Sequence, residues 1–244
     1  MKLPSILEML QAGVHFGHQV SRWHPKMKPF IFTERNGVHV IDLEKTQSAL
    51  KTVLEDIKKL AQEGKIILFI TTKPQAREVV KAVAMDCGMP YLVDRWLGGL
   101  LTNFSEMKKL LKKYNQLKDE VASGEIEKYT KKEQLDLARK LEKMSGYLEG
   151  ISTLEKKPDL IFIPALQREK TAMVEANKMK VPIIAICDTN ANPDKADYVI
   201  PANDDAVNSI KMIVELVGQA IKEGVVNKQV EKPAEIKDIK KDNK

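Results

Sequence analysis

Cysteine is almost absent from this chain. Cys87 and Cys187 are the only two in 244 residues, and they lie far apart in apolar surroundings. Cysteines so placed are expected to be buried, reduced thiols and not a disulfide framework, so the fold should rest on an ordinary core. Long hydrophobic runs are also missing: the longest, such as "IILFI" and "VPIIAIC", fall far short of the ~18 residues a spanning helix needs. The N-terminal "MKLPSILEML" puts Pro4 and Glu8 where a secretory signal needs an unbroken apolar stretch, so a cytoplasmic protein with no membrane partner is expected. Glycine-rich phosphate loops are absent too. "IILFITT" runs into "KPQAREVV" without a glycine, and neither the dinucleotide turn G-x-G-x-x-G nor the P-loop G-x-x-x-x-G-K-[ST] occurs. No G-x-S-x-G elbow marks a nucleophilic serine. These absences argue against an α/β enzyme that binds a nucleotide or phosphosugar, and no cofactor or small-molecule substrate is expected. Arginine is scarce, with 6 against 34 lysines in the total of 40, so contacts to anions should be point charges more than bidentate forks.

What is present points to an α/β core and an anionic partner. With 43% hydrophobic residues the protein has enough apolar surface to bury a full core. Its 40 Lys and Arg against 34 Asp and Glu leave a formal charge of +6, which favours nucleic acid first among partners. Short apolar runs at 65–72, 90–96, 158–165, 181–188 and 197–203 are rich in Ile, Val and Phe without polar alternation, the pattern of strands covered on both faces. Helical patterns fill 43–63, 74–87, 168–180 and 204–223. Pro74 stands at a helix start, and Gly64, Gly88 and Gly224 stand at expected stops. The expected fold is therefore α/β: a doubly wound, mainly parallel five-stranded sheet of the flavodoxin or Rossmann kind.

One crossover is too long for that plan, about sixty residues between Trp96 and Asp159. Met107, Leu110, Tyr114, Leu117 and Val121 follow heptad spacing, as do Leu137, Leu141, Met144, Leu148 and Ile151, with a break around Gly124. An inserted antiparallel coiled-coil hairpin is expected. The organisation is then an α/β domain over 1–103 and 157–224, with an RNA-contact segment at 1–42, a hairpin over 104–156, and a charged tail over 225–244 whose composition favours disorder. Acids interleave most hairpin lysines, as a solvated face would have. "MKKLLKKY" has none, which singles out Lys108, Lys109, Lys112 and Lys113 as phosphate contacts on charge alone.

The stretch "HFGHQVSRWHPKMKPFIFTERNG", 15–37, gathers three of the four histidines with Trp23 and several cations. A metal site is not expected, because Gly13 and Gly17 disfavour a helix that would align His15 with His18, and no acidic or cysteine cluster lies nearby in sequence. Carboxylates in "CDTNANPDKAD" and "PANDDAV" read as turn formers, with Asn203 or Asp204 capping a helix. Binding remains: Arg22, Lys26, Lys28 and Arg35 supply charge, His18 and His24 supply donors, Trp23 offers a face to a base or packs on the sheet, and Pro25 and Pro29 stiffen the loop.

"AGVHFGHQVSRWHPKMKPFIFTERNGVHVIDLEKT", "DRWLGGLLTNF", "EGI" and "VPIIAICDTNANPDKADYVIPANDDAVNSIKMI" closely resemble the motifs of the bacterial small-subunit ribosomal protein two family, in order from about Ser5 to Gly224. The resemblance implies a non-catalytic constituent of the small ribosomal subunit, bound to 16S rRNA near the junction of head and body. It also implies neighbouring small-subunit proteins, ribosomal protein one among them, as partners. It carries RNA contact onto His18, Arg22, Trp23, Lys26, Lys28 and Arg35, and onto Arg95 and Asn103 of the "DRWLGGLLTN" turn. Two departures stand out: His24, where the family usually has Asn, and "FIPAL" at 162–166, where it has a Val-Asp-Pro-like stretch. Two alternatives remain: an α/β enzyme that binds a nucleotide or phosphosugar at the strand ends, and a protein-interaction module independent of RNA.

Overall fold

The structure, a computed structural model, describes residues 3–238, with side chains as far as 227. A short helix α1, Ile6–Gln11, starts on a capping box in which Ser5 and Glu8 satisfy each other's backbone N–H. Three short strands follow, β1 Phe16–Gln19, β2 Ile31–Arg35 and β3 Val38–Ile41, which pair antiparallel in the order β1-β3-β2. β2 and β3 are joined by Asn36 and Gly37, both at positive φ (54° and 74°), the two-residue turn that matches the twist of paired strands. This small sheet was not anticipated, since its strands carry no long apolar run.

From Leu43 onward strand and helix alternate. α2 is Leu43–Glu63, β4 Ile67–Ile70, α3 Pro74–Asp86 and β5 Tyr91–Leu92; after the insertion come β6 Leu160–Ile163, α6 Lys170–Met179, β7 Ile183–Cys187, β8 Tyr198–Pro201 and α7 Val207–Asp238. All pairings in the main sheet are parallel, in the order β5-β4-β6-β7-β8, the doubly wound flavodoxin-type order. β5 is much shorter than the run at 90–96, because the backbone turns away at Asp94 toward the insertion. Every residue of β4, β5, β6 and β7 is buried, as their unalternating sequences require.

Alternate residues face two separate cores. Ile67, Phe69, Phe162, Ile184 and Ile200 pack under α2, α3 and α7, with Phe69 and Phe162 edge to face at 5.3 Å. Leu68, Ile70, Ile161, Ile163 and Ala185 face the other way, against Ala172 and Ala176 of α6 and against the insertion. That insertion is a helical hairpin, α4 Phe104–Ala122 and α5 Lys131–Leu148, with its turn at Gly124 (φ 77°) and a Thr130–Glu133 capping box. Its base is part of the domain: Met107, Leu111, Tyr114, Met144 and Leu148 belong to the second core, and the Tyr114 hydroxyl lies 3.1 Å from Ser145 Oγ. Leu111 is buried where the heptad reading placed Leu110, which is only half-buried. A boundary drawn at residue 104 therefore cuts through packed core.

The stop expected at Gly224 is absent. α7 continues through it to Asp238, into the segment whose composition suggested disorder; residues 239–244 of that tail lie outside the described residues. Gly224 is there for packing and not as a cap: a Cβ would lie 2.4 Å from Lys58 O and 2.7 Å from Ala61 Cβ of α2. Gly150 is tighter still, with a would-be Cβ 2.2 Å from Tyr91 O, where the base of the hairpin crosses the sheet edge. Gly150→Ala should therefore lower stability by about 1–3 kcal/mol, the usual cost of overpacking. A denaturant midpoint equal to that of the parent would show that the edge yields.

Candidate nucleic-acid interface

The opening segment is pinned to the carboxyl ends of the main sheet from several directions. His18 N donates to Thr189 Oγ1 (2.8 Å) and His24 N to Thr189 O (2.7 Å), both across to the loop after β7. Asn203, beyond β8, gives its N–H to Val14 O and its side-chain amide to Gly13 O, each at 3.0 Å. Gly17 permits the approach, since a Cβ there would lie 2.6 Å from Thr189 Cγ2. Met27 is fully buried and Phe30 half-buried in the second core, so a 3₁₀ turn over Pro25–Phe30 is nailed down by its apolar members. Its polar members are left outside.

Those side chains divide into two groups. Arg22, Lys28 and Arg35 are exposed and, among the described residues, face no acid. Lys26 is exposed but paired with Asp194, and Trp23 is half-buried with its ring 5.2 Å from that of His39. His24 accepts from Lys26 N at 3.3 Å and so caps the turn locally. His18 faces inward.

A second basic element is built around one acid that the sequence gave no reason to single out. Glu175 of α6, 9% exposed, accepts five hydrogen bonds from the turn at 96–102: the Trp96 indole N–H (2.9 Å), the N–H groups of Gly99 (2.8 Å), Leu101 (3.2 Å) and Thr102 (3.3 Å), and the Thr102 hydroxyl (3.1 Å). Burial works against its charge, but Trp96 and the three amides hold its carboxyl below the usual range. The turn carries Arg95, exposed with its guanidinium 4.7 Å over the Tyr147 ring, and Asn103, exposed at the start of α4. Lys108, Lys112 and Lys113 of α4 are exposed, while Lys109 pairs with Glu106 at 2.7 Å. The signal that could have revealed Glu175 was an acid between Ala172 and Ala176 on the stripe that α6 buries.

The strand ends hold a charged cluster that sequence reasoning also missed, because its members are remote from one another along the backbone. Lys73, only 7% exposed, donates to Asp204 and Asp205, each at 2.7 Å. His18 Nδ1 lies 3.0 Å from Asp188 Oδ1, off the line a hydrogen bond needs, and its Nε2 lies 3.3 Å from Asp205 Oδ2. The Asp188 carboxylate raises the His18 pKa against the opposing effect of burial. Burial raises the Asp204 carboxyl, helped by Asp188; burial also opposes ionisation of Asp205, but Lys73 and His18 hold it below the usual range. His18, Asp188, Asp204 and Asp205 present ligand atoms within 4.8 Å of one another, a nitrogen and three carboxylates that could share a divalent cation. No acidic cluster lies near the histidines in sequence, yet the fold brings Asp188, Asp204 and Asp205 to His18 from about 170 or more positions away. Neither Asn203 nor Asp204 stands at the start of α7, which begins at Val207; Asn203 Oδ1 instead accepts from Asp205 N (2.8 Å) and Ala206 N (3.3 Å) and fixes the turn ahead of the helix.

The crevice where a doubly wound fold takes its ligand is already filled. Between β4 and β6, where the strand order reverses, Thr72 N (2.5 Å) and Thr72 Oγ1 (2.7 Å) both donate to Glu169, which is 3% exposed. A phosphate would have to displace that carboxylate. The site that remains open is the exposed cationic surface.

The sequence model of the family described as ribosomal protein S2 matches residues 9–224. The protein is 44% identical over 229 residues to the small ribosomal subunit protein uS2 of Coprothermobacter proteolyticus, covering 94% of this sequence and 85% of that one. It is 45% identical to the protein of the same name in Fusobacterium nucleatum, covering 92% and 91%, and 46% identical to that of Campylobacter lari, covering 90% and 84%.

Glu175→Gln keeps the shape of the side chain but removes the charge that its five donors face, and should cost about 1–3 kcal/mol at neutral pH. The folded-state pKa of Glu175 lies below its unfolded value, so its contribution is present above about pH 4.5 and is lost as pH falls through the folded value. The parent and Glu175→Gln should therefore converge in stability on acidification. A gap that stays constant down to the acid limit would remove the carboxylate charge as the cause.

Proposed function

This chain belongs to the ribosomal protein S2 family and is thereby a structural, non-enzymatic constituent of the small ribosomal subunit; we propose that it binds 16S rRNA there by neutralising phosphates and fitting folded RNA shape, with little reading of base sequence. The observation that carries this reading is the pairing of a rigid backbone with free cations. The N-terminal segment is fixed by hydrogen bonds to Thr189 and by buried Met27, yet Arg22, Lys28 and Arg35 on it remain exposed and unpaired among the described residues. Cations held in place before binding lose little freedom on contact, which is what a shape-selective RNA surface requires.

The footprint extends to Arg95 and Asn103 on the turn held by Glu175, and to Lys108, Lys112 and Lys113 just beyond it. His18, Trp23 and Lys26 serve mainly to hold the loop, and Lys109 contributes only in exchange for Glu106. Ribosomal protein one and the neighbouring small-subunit proteins are the protein partners in this proposal, and the cytoplasmic ribosome is its location. No described helix is long and apolar enough to cross a membrane.

Sedimentation of a cell lysate tests the assignment: the protein should travel with the small subunit at near-unit stoichiometry in low salt and leave it only in high salt. Finding it mainly at the top of a low-salt gradient would sink the proposal. If about 4–6 phosphates are contacted, log affinity for 16S rRNA should fall against log salt with a slope of about −3 to −5. Replacing Arg22, Lys28 and Arg35 by Ala should flatten that slope by roughly 2 units, whereas Lys26→Ala, already neutralised by Asp194, should change it by less than about 1. Equal effects of the two variants would overturn the division between free and paired cations.

A further inference from the structure

The geometry points to Asn36 as a self-modification site, where the protein converts its own side-chain amide to an acid with water as the only co-reactant. The sequence has ten asparagines, and Asn36 alone is followed by glycine. The turn it occupies adds three further conditions. Both residues are exposed, and nothing lies within 4 Å of the place where a Gly37 Cβ would be, so the Gly37 nitrogen is open to approach. Arg35 pairs directly with Val38, which leaves the two central residues outside the ladder. Among the described residues, Gly37 N–H donates to no acceptor and the Asn36 side chain makes no hydrogen bond, so neither the nucleophile nor the electrophile is tied down.

The other asparagines lack one or more of these conditions. Asn115 and Asn177 lie inside helices, where the next N–H is held in the ladder. Asn192 precedes Pro193, which has no N–H, and the side-chain oxygen of Asn203 is occupied by the N–H groups of Asp205 and Ala206 in the turn before α7.

The chemistry balances within the turn. Solvent hydroxide takes the proton of Gly37 N, and the nitrogen attacks Asn36 Cγ. A new bond between that nitrogen and Cγ closes a five-membered imide, the bond from Cγ to Asn36 Nδ2 breaks, and the amide nitrogen leaves as ammonia with a proton from water. Water then adds at either ring carbonyl and opens the imide to aspartate or to isoaspartate, with nothing oxidised or reduced.

The product changes the surface in two ways. Either acid places a carboxylate beside Arg35, and isoaspartate also lengthens the backbone of a two-residue turn whose Gly37 O accepts from Val20 N at 3.1 Å. Val20 begins the turn that presents Arg22. The effect on RNA binding rests on the function proposed above, whereas the chemistry does not.

The test uses the full-length folded protein incubated in mildly alkaline buffer, with and without urea, followed by peptide mass spectrometry and by methyl transfer with an isoaspartyl methyltransferase. In the folded protein, the peptide holding Asn36 should gain the mass of an amide-to-acid conversion several-fold faster than those holding Asn103 or Asn227, and methyl acceptance should map to residue 36. Asn36→Gln should abolish both signals and lower the melting temperature by no more than a few degrees, the cost of placing a residue less tolerant than Asn at positive φ. Conversion confined to the urea sample, or no faster at Asn36 than at Asn103, would overturn the inference. A second reading, 16S rRNA affinity of the converted and unconverted protein, bears only on the consequence: loss of several-fold affinity is expected, and unchanged affinity with conversion intact would count against the RNA footprint at Arg35 and leave the modification site standing.

Discussion

A parallel sheet buried on both faces leaves this protein few places for charge, and one of them is the carboxyl end of the strands. Charges taken out of water there must be paired or hydrogen-bonded, because an isolated buried ion costs several kcal/mol. Lys73 emerges from β4 between Asp204 and Asp205 beyond β8, and His18 closes the remaining side against Asp188 beyond β7. That closure is also the seat of the N-terminal segment, since Thr189 follows Asp188 directly and holds both His18 and His24. The exposed cations of the segment are therefore positioned in part by acids of the opposite sign, of which Asp188 and Asp204 are buried.

The same economy appears twice more. Thr72, just ahead of α3, and the turn after β5 both present N–H groups of the kind that bind anions in many α/β proteins. Here Glu169 and Glu175 occupy them. The protein fills its anion pockets with its own carboxylates, which converts would-be ligand sites into rigid joints. The joint at Glu175 decides where α4 begins, and with it the direction in which Lys108, Lys112 and Lys113 are carried away from the domain.

Long strands and amphipathic helices were legible in the sequence because each writes its burial into a local period. The runs at 65–72, 158–165 and 181–188 became β4, β6 and β7, and the heptad seams became α4 and α5. Features that depend on what arrives from distant positions were not. Gly224 looked like a stop because nothing nearby shows that Lys58 and Ala61 press against it. The small antiparallel sheet escaped because its stability comes from docking, not from its own apolar residues; β2 is exposed at nearly every position. Among site residues, the exposure of Arg22, Lys28 and Arg35 followed the sequence pattern, but charge alone could not tell Lys28 from Lys26 or Lys108 from Lys109. Only the placement of Asp194 and Glu106 separates them. His18 read as a donor on a surface, and its inward role needed partners about 170 positions further on.

That separation bears on how the protein is made. A ribosome delivers the N-terminal segment well before Thr189, Asn203 and Asp204, and a domain folds as its parts emerge. Until the final strands are out, Met27 has no complete core to enter, and the backbone of His18 and His24 has no partner. The cationic loop thus acquires its shape only after partners about 170 positions further on have emerged. A fragment broken off within the hairpin would carry the same positive residues on a loose polypeptide. The fold thereby makes the fixed presentation of the N-terminal segment depend on the residues that follow β7 and β8, so that a copy broken off before them offers no rigid surface.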